Sequence, residues 1–134
     1  MPVAFGYTIF YVPDVSATLR FFAEAFGIAI RFATPEGDYG ELETGSTALA
    51  FASLALAHAN LDGAGGFQDP TPIAAPVAAS ITLTTTDVVA TLDAALRVGA
   101  TLYVGPVDKP WGQTVAYVRD PNGILIELAT PMSS

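Results

Sequence analysis

The sequence contains no cysteine and a single histidine, His58. Without cysteine the chain has no disulfide, no thiolate metal site and no cysteine nucleophile. One histidine excludes a zinc site of three histidines within one chain. A Ser-His-Asp triad would depend on His58, and no serine lies in a nucleophile-elbow motif. The common cysteine- and histidine-based chemistries are therefore excluded.

Basic residues are also few, with 5 Lys and Arg against 13 Asp and Glu and a formal net charge of −8. The five are scattered along the chain, whereas nucleic-acid binding needs clustered Lys and Arg. An anionic membrane surface would need the same clustering. We therefore expect neither nucleic acid nor membrane as a partner.

Long hydrophobic runs are missing as well. The longest covers residues 48–59, is interrupted by Ser53 and His58, and is too short to span a bilayer. The first ten residues lack the basic segment and apolar run of a signal peptide. We expect a cytoplasmic location.

What the sequence does have is apolar content, at 51% of 134 residues against 13% charged. A chain of this composition folds around a core and is not disordered. Its length predicts a single domain, 1–134. The surplus of apolar residues predicts a cavity or an oligomer surface as well.

The chain repeats itself. Residues 7–15 (YTIFYVPDV) and 80–88 (SITLTTTDV) share one pattern, a strand that leads into a helix start, and the ATL triplets at 17–19 and 90–92 are identical. Asp14 and Asp87 are suited to cap the two helices, and Gly27 and Gly99 to end them. After each helix come three β-type segments, separated by turn residues. They cover 29–32, 39–43 and 47–53, then 101–104, 114–119 and 124–129.

This pattern predicts an α+β fold of tandem β-α-β-β-β modules, about 3–54 and about 79–131, joined by a linker of about 55–78. The linker is rich in Gly and Pro and is either a flexible connection or an arm over a ligand site. Gly63–Gly66 does not match a phosphate-binding loop. Phe67 could close on a ligand or a partner chain. His58 is either a structural residue or reaches the site if its Ala-rich surroundings fold over it.

Two such modules, the first opened by YVPDV and the second closed by DPNGILIEL, resemble the vicinal oxygen chelate superfamily. This is the group of glyoxalase I, bleomycin-resistance proteins and extradiol dioxygenases. The resemblance covers nearly the whole chain and is most specific over Trp111–Leu128. It implies a cup-shaped curved sheet built from paired modules, in a homodimer.

Metal-using members of that superfamily place ligands at four cup-facing positions, which fall here on Tyr7, Ala50, Ser80 and Glu127. Ala50 has no donor atom, and Ser80 and Tyr7 are poor ligands for a divalent ion at neutral pH. One carboxylate does not hold a metal. We therefore predict no metal and no cofactor, as in the binding branch typified by bleomycin-resistance proteins.

Strand alternation gives the cup a small, apolar and aromatic lining, which suits a small-molecule pocket. Trp111 either stacks on an aromatic ligand or packs on a dimer partner. Tyr117 lines the cup or caps the core, and Gln113 is a polar contact or a strand-edge residue. The predicted ligand-binding residues are Tyr7, Ala50, Ser80, Trp111, Gln113, Tyr117 and Glu127.

Glu127 is the sharpest candidate, with three readings. It could be a remnant of a metal site, hydrogen-bonded to Tyr7 or Ser80. It could be an acceptor or counter-charge for a basic or hydroxylated ligand, or a general base if burial raises its pKa. We predict a metal-free binding protein that holds an apolar or aromatic metabolite or antibiotic. The alternative is a glyoxalase- or dioxygenase-like enzyme with atypical metal ligands or with Glu127 as base.

Overall fold

A computed structural model describes residues 2–69 and 74–132 of the chain. Linker residues 70–73, which include Pro70 and Pro72, lie outside the described residues. The chain divides into two compact units, Met1–Asp69 and Pro70–Ser134. Each unit contains one strand, one long helix and three further strands, which form one four-stranded sheet. The predicted α+β class of repeated β-α-β-β-β modules is confirmed.

The described part of the first unit has four strands and two helices. In chain order they are β1 (Tyr7–Val12), α1 (Val15–Phe26), β2 (Ile30–Ala33), β3 (Tyr39–Leu42), β4 (Ala48–Ser53) and α2 (Leu54–Leu61). The strands lie in the order β1-β4-β3-β2. β1 runs parallel to β4, and the other neighbours are antiparallel.

Helix α1 begins and ends where the sequence predicts. The Asp14 carboxylate accepts a hydrogen bond of 2.9 Å from the Ala17 amide, and Gly27 ends the helix in a left-handed conformation at φ 69°. Its apolar side packs on the sheet, with the rings of Phe22 and Phe51 5.1 Å apart. At Gly40 an added Cβ would lie 2.5 Å from a methyl carbon of Leu19. The absence of a side chain there lets helix and sheet approach closely.

The described part of the second unit repeats this plan with a single helix. Its elements are β5 (Ile81–Thr84), α3 (Val88–Arg97), β6 (Thr101–Asp108), β7 (Thr114–Arg119) and β8 (Leu125–Ala129). The strand order is β5-β8-β7-β6, with β5 parallel to β8. The Asp87 carboxylate caps α3 through the Ala90 amide at 3.0 Å. Val118, Ile126 and Leu128 are fully buried and form the core beneath α3.

Helix α2 lies in the segment that we predicted as the start of the linker. Ser53 ends β4 and caps α2, since its hydroxyl accepts from the Leu56 amide at 3.1 Å. Ala57 is fully buried, and a short 3-10 turn, Asp62–Ala64, follows the helix. The segment is rich in alanine, which has the highest helix propensity of all residues. No helix in the described ranges is long and apolar enough to cross a membrane.

Gly105 interrupts β6, whose pairing with β7 is irregular around this residue. It has φ 97°, and a Cβ there would lie 2.8 Å from the Val115 carbonyl oxygen. Gly112 has nearly the same φ, 100°, with no atom within 4 Å of an added Cβ. Comparison of alanine substitutions at the two glycines therefore distinguishes the cost of φ strain from the cost of a backbone clash.

We expect Gly112→Ala to lower the free energy of unfolding by about 1 kcal/mol through φ strain alone. Gly105→Ala should cost about 1–3 kcal/mol more, because the backbone of β7 must also move. Urea denaturation of both variants measures the difference. Equal losses would show that the contact with Val115 is not restrictive.

The turn between β7 and β8 is organised by Asp120, which is 2% exposed. Its Oδ1 accepts hydrogen bonds from the amides of Asn122 (2.9 Å) and Ile124 (2.8 Å), and its Oδ2 accepts from the Asn122 side chain (2.9 Å). Burial raises the pKa of Asp120 above its ordinary value of 3.8 despite these donors. The folded state therefore holds the Asp120 proton more tightly than the unfolded chain.

Because the pKa of Asp120 is raised in the folded state, its contribution to stability decreases as the pH rises from below 3.8 through that raised pKa. Asp120→Asn keeps an acceptor for the two backbone amides and has no titrating group. We expect the stability of the variant, relative to the unsubstituted protein, to increase over that pH range. Urea denaturation between pH 3 and 7 measures it, and a flat difference contradicts the prediction.

Candidate functional site

In each unit the long helix packs on one face of the sheet. We call the opposite face the distal face. In the second unit strand alternation and register place eight side chains on it. They are Thr82, Thr84, Val115, Tyr117, Arg119, Leu125, Glu127 and Ala129.

Glu127 lies near the middle of this distal face and is half-buried. Register sets it between Thr82 on β5 and Tyr117 on β7. The Thr82 hydroxyl donates to Glu127 Oε1 at 2.7 Å, and the Tyr117 hydroxyl donates to Oε2 at 2.9 Å. Both donors are neutral, so they orient the carboxylate and stabilise its charge without cancelling it.

Tyr117 acts as a hydrogen-bond donor at neutral pH. Its hydrogen bond to Glu127, together with partial burial, raises the pKa of Tyr117 above 10.0. The phenol therefore keeps its proton, which is directed at Glu127. The structure thus brings together two of the predicted binding residues, Tyr117 and Glu127.

Ser80 is exposed and precedes β5 by one residue. Thr82, rather than Ser80, is opposite Glu127 in the parallel pair. Thr82 was not among our predicted site residues, although it lies on the same side of the strand as Ser80. The register between two strands far apart in the chain decides which hydroxyl meets the carboxylate, and the repeat alone does not determine it.

Trp111 and Gln113 form a second pair in this unit. Trp111 is 60% exposed, and its indole Nε1 donates to Gln113 Oε1 at 2.7 Å. Gln113 Nε2 in turn donates to the Thr130 carbonyl at 2.7 Å. Gln113 thus links the exposed indole to the residue that follows β8.

The distal face of the first unit is aromatic around a floor of alanines. Its register rows combine residues of β1, β4 and β3: Tyr7, Ile9, Tyr11, Ala48, Ala50, Ala52, Tyr39 and Glu41. The alanine floor, Ala48, Ala50 and Ala52, is at most 3% exposed. Tyr7, at the start of β1, is 56% exposed. Of the predicted residues here, Tyr7 is accessible and Ala50 is not.

A network of four side chains, absent from our predicted site, lies beside the alanine floor. Tyr39 donates to Glu41 Oε2 at 2.7 Å, while Arg31 bonds both oxygens of Glu43 (2.9 and 2.8 Å) and reaches Glu41 at 3.3 Å. Burial, with the hydrogen bond to Glu41, raises the pKa of Tyr39, and the bond to Arg31 lowers the pKa of Glu43. One sequence signal could have predicted this network, namely that the polar residues Tyr39 and Glu41 alternate along β3 and so share one face.

The four positions that the resemblance assigns to metal ligands do not offer a metal donor set. Ala50 has no donor atom, and Glu127 is the one carboxylate among the four positions. Within residues 2–69 and 74–132, no group of three or more His, Cys, Asp or Glu side chains is arranged to hold a metal ion. The residues present do not fit a divalent metal at these positions.

His58 and Phe67 lie together in the first unit. His58 is exposed on α2 and its Nδ1 is 2.9 Å from Asp62 Oδ1. The Phe67 ring lies 4.7 Å from the His58 ring and 5.6 Å from the Tyr11 ring. Gly63–Gly66 supplies the 3-10 turn and the left-handed residues that precede Phe67.

Three solved structures share this fold. A glyoxalase-related enzyme from Fulvimarina pelagi is 20% identical at a TM-score of 0.79, covering 94% of this chain and 86% of its own. A glyoxalase/bleomycin resistance protein/dioxygenase family enzyme from Burkholderia phytofirmans PsJN is 17% identical at 0.75, covering 96% and 98%. A member of the same superfamily from Sphaerobacter thermophilus DSM 20745 is 20% identical at 0.71, covering 97% and 98%. These identities show the fold alone.

Comparison with curated proteins gives no match. The family model of the Glyoxalase/Bleomycin resistance protein/Dioxygenase superfamily matches residues 4–128. That match spans both units, and it confirms the resemblance seen in the repeated modules. The chain therefore belongs to the glyoxalase/bleomycin resistance protein/dioxygenase superfamily.

Proposed function

We propose that this protein binds a small aromatic or apolar molecule that carries a basic or hydroxyl group, and holds it without a metal. The observation that carries the proposal is the half-buried Glu127, whose carboxylate is oriented by two hydroxyls on the distal face of the second sheet. Sequestration of an antibiotic or another secondary metabolite fits such a binding role.

Glu127 is suited to bind a cation or a hydroxyl donor. Its hydrogen bonds come from the neutral hydroxyls of Thr82 and Tyr117, so its negative charge is available to a ligand. Each carboxylate oxygen has more than one lone pair and can accept again. A partly buried charge also attracts a counter-charge more strongly than a charge in bulk water does.

Trp111 supports the aromatic part of the proposal. An exposed indole held by Gln113 offers a flat surface for stacking, and the indole face also attracts cations. The hydrogen bond to Gln113 restricts the indole before a ligand binds, and such restriction lowers the entropic cost of binding.

The alternative is an enzyme in which Glu127 acts as a general base. Conversion of a bound compound, detected by mass spectrometry after incubation, would instead support the enzymatic alternative.

The proposed partner chain is a second copy of this protein. Edge strand β6 exposes Leu102, Tyr103, Val104 and Val107, each between 41% and 50%. Apolar side chains on a strand at the edge of a sheet favour coverage by another chain. Native mass spectrometry measures the mass of the assembly, and a monomer contradicts this part of the proposal.

We expect a preference among three naphthalene compounds that differ in the charge of one substituent. 1-Naphthylmethylammonium should bind more tightly than 1-naphthylmethanol, and 1-naphthaleneacetate most weakly. Glu127→Gln should weaken binding of the ammonium by about tenfold, because a charge-assisted contact is lost, and should not weaken binding of the acetate, because a repulsion is removed. Isothermal titration calorimetry measures all three.

Asp93→Asn is the matched control, since it removes one exposed carboxylate on α3 of the same unit. It should leave all three affinities unchanged. Equal weakening by Asp93→Asn and Glu127→Gln would assign the preference to net charge alone. Unchanged affinity in Glu127→Gln would remove Glu127 from the site.

The absence of a metal donor set predicts how the protein responds to metals. A metal that binds the folded state raises its unfolding temperature. We expect Ni²⁺, Zn²⁺ or EDTA to shift the thermal midpoint by less than about 1 °C. Calorimetry measures the midpoint, and elemental analysis of protein purified without chelator is the control. A stoichiometric metal would overturn the metal-free proposal.

A further inference from the structure

The turn between β7 and β8 contains an Asn-Gly dipeptide, Asn122–Gly123. An asparagine loses its side-chain amide most readily before glycine, because glycine has no Cβ to obstruct the approach of its backbone nitrogen to the preceding side chain. This deamidation needs no enzyme. The sequence therefore places a reactive pair in the hairpin that carries Tyr117 and Glu127.

The reaction sets a geometric requirement on this pair. The backbone nitrogen of Gly123 loses its proton to a base and attacks Cγ of Asn122. A C–N bond forms, and the side-chain nitrogen takes up a proton and leaves as ammonia. Water then opens the resulting succinimide ring at either carbonyl, which gives aspartate or isoaspartate at position 122. The Gly123 nitrogen must be released from its hydrogen-bond acceptor, and the Asn122 side chain must be free to turn towards it.

In the folded hairpin Asp120 restrains both reacting groups. The Gly123 amide donates to the Asp120 carbonyl oxygen at 2.9 Å, so the attacking nitrogen is hydrogen-bonded. Nδ2 of Asn122 donates to Asp120 Oδ2 at 2.9 Å, and the backbone amide of Asn122 donates to Oδ1 at 2.9 Å. One residue thus holds the nucleophile and the carbon that it would attack.

Burial adds to this restraint. Asp120 is 2% exposed and Gly123 is buried. The buried Arg119 donates from Nε to the Gly123 carbonyl at 2.8 Å, and the Asp120 amide donates to the Ile124 carbonyl at 3.0 Å. A backbone amide that is hydrogen-bonded and buried loses its proton only when the structure opens locally. The folded turn therefore slows the first step of deamidation.

We propose that Asn122 is a latent deamidation site, which Asp120 keeps unreactive in the folded hairpin and which reacts when the turn opens. Conversion to aspartate replaces the donor Nδ2 by a carboxylate oxygen beside Asp120 Oδ2. Two carboxylates share such a contact only if one takes up a proton, so the turn is less stable after conversion. Because this hairpin sets Tyr117 opposite Glu127, the modification acts on the strands of the candidate site. The inference does not depend on the proposed function.

The first experiment compares rates of conversion at mildly alkaline pH. Peptide mass spectrometry follows Asn122 in the folded protein, in the protein unfolded by urea and in folded Asp120→Asn. We expect conversion at least about tenfold faster in the unfolded chain than in the folded protein, because opening limits the folded reaction. Asp120→Asn should speed conversion in the folded state about tenfold, since an NH₂ group replaces the Oδ2 acceptor of the Asn122 side chain.

The chain offers matched controls for this comparison. Asp120→Asn adds no second site of this reaction, because Pro121 has no backbone N–H to attack the new side chain. Asp93→Asn removes an exposed carboxylate on α3 of the same unit and should leave the conversion rate unchanged. Asn60, the other asparagine of the sequence, is followed by leucine and should convert slowly in every sample.

Hydrogen exchange of the β8 amides distinguishes opening of the turn from unfolding of the unit, and it should stay slow in Asp120→Asn. Equal conversion of Asn122 in the folded and unfolded protein would overturn the proposal, because the turn would give no protection. Unchanged conversion in Asp120→Asn would overturn it too, since Asp120 would not be the restraint. Faster conversion accompanied by fast exchange throughout β8 would have the same meaning.

The second experiment measures the consequence of conversion by urea denaturation at neutral pH. We expect Asn122→Asp to raise the equilibrium constant for unfolding about tenfold more than Asn122→Ala, because only Asn122→Asp places a carboxylate beside Asp120. Asn60→Asp makes the same change of charge at an exposed position and should have little effect. Equal effects of Asn122→Asp and Asn122→Ala would contradict the predicted loss of stability in the turn.

Discussion

Each sheet of this protein is covered by its long helix on one face only, and strand alternation converts that constraint into chemistry. Phe51, Ile126 and Leu128 lie on the helix side, where they are fully buried. The residues that alternate with them along the strands, such as Ala50 and Glu127, are thereby directed to the distal face. Polar side chains and tyrosines collect on the distal faces because apolar side chains fill the helix faces.

On each distal face a glutamate accepts a hydrogen bond from a tyrosine, but the two pairs are placed differently on the strands. In the first sheet Tyr39 and Glu41 are two residues apart on β3. In the second sheet Tyr117 of β7 reaches Glu127 of β8. Glu41 pairs with Ala50 as Tyr117 pairs with Glu127, so the carboxylate is on different strands of the repeat. The repeat conserves the backbone plan while the chemistry of the two faces diverges.

Because of this divergence, membership of the superfamily does not by itself determine the chemistry of the two faces. A shared fold supplies positions, and the side chains at those positions supply the chemistry. Here Glu127 accepts hydrogen bonds from two hydroxyls, and the exposed Trp111 donates a hydrogen bond to Gln113. Those contacts support the proposed recognition of a ligand.

The sequence by itself determined the features that arise from short-range interactions. Asp14 and Asp87 cap the helices and Gly27 ends the first, because capping involves backbone groups within a few residues. Only the tertiary structure decided the identity of the residue opposite Glu127, the network of Arg31 and the contact of Phe67 with Tyr11. Each depends on the register of strands or on a turn that folds back on the sheet. A shift of one residue in that register would exchange every partner, and local sequence pattern does not determine it.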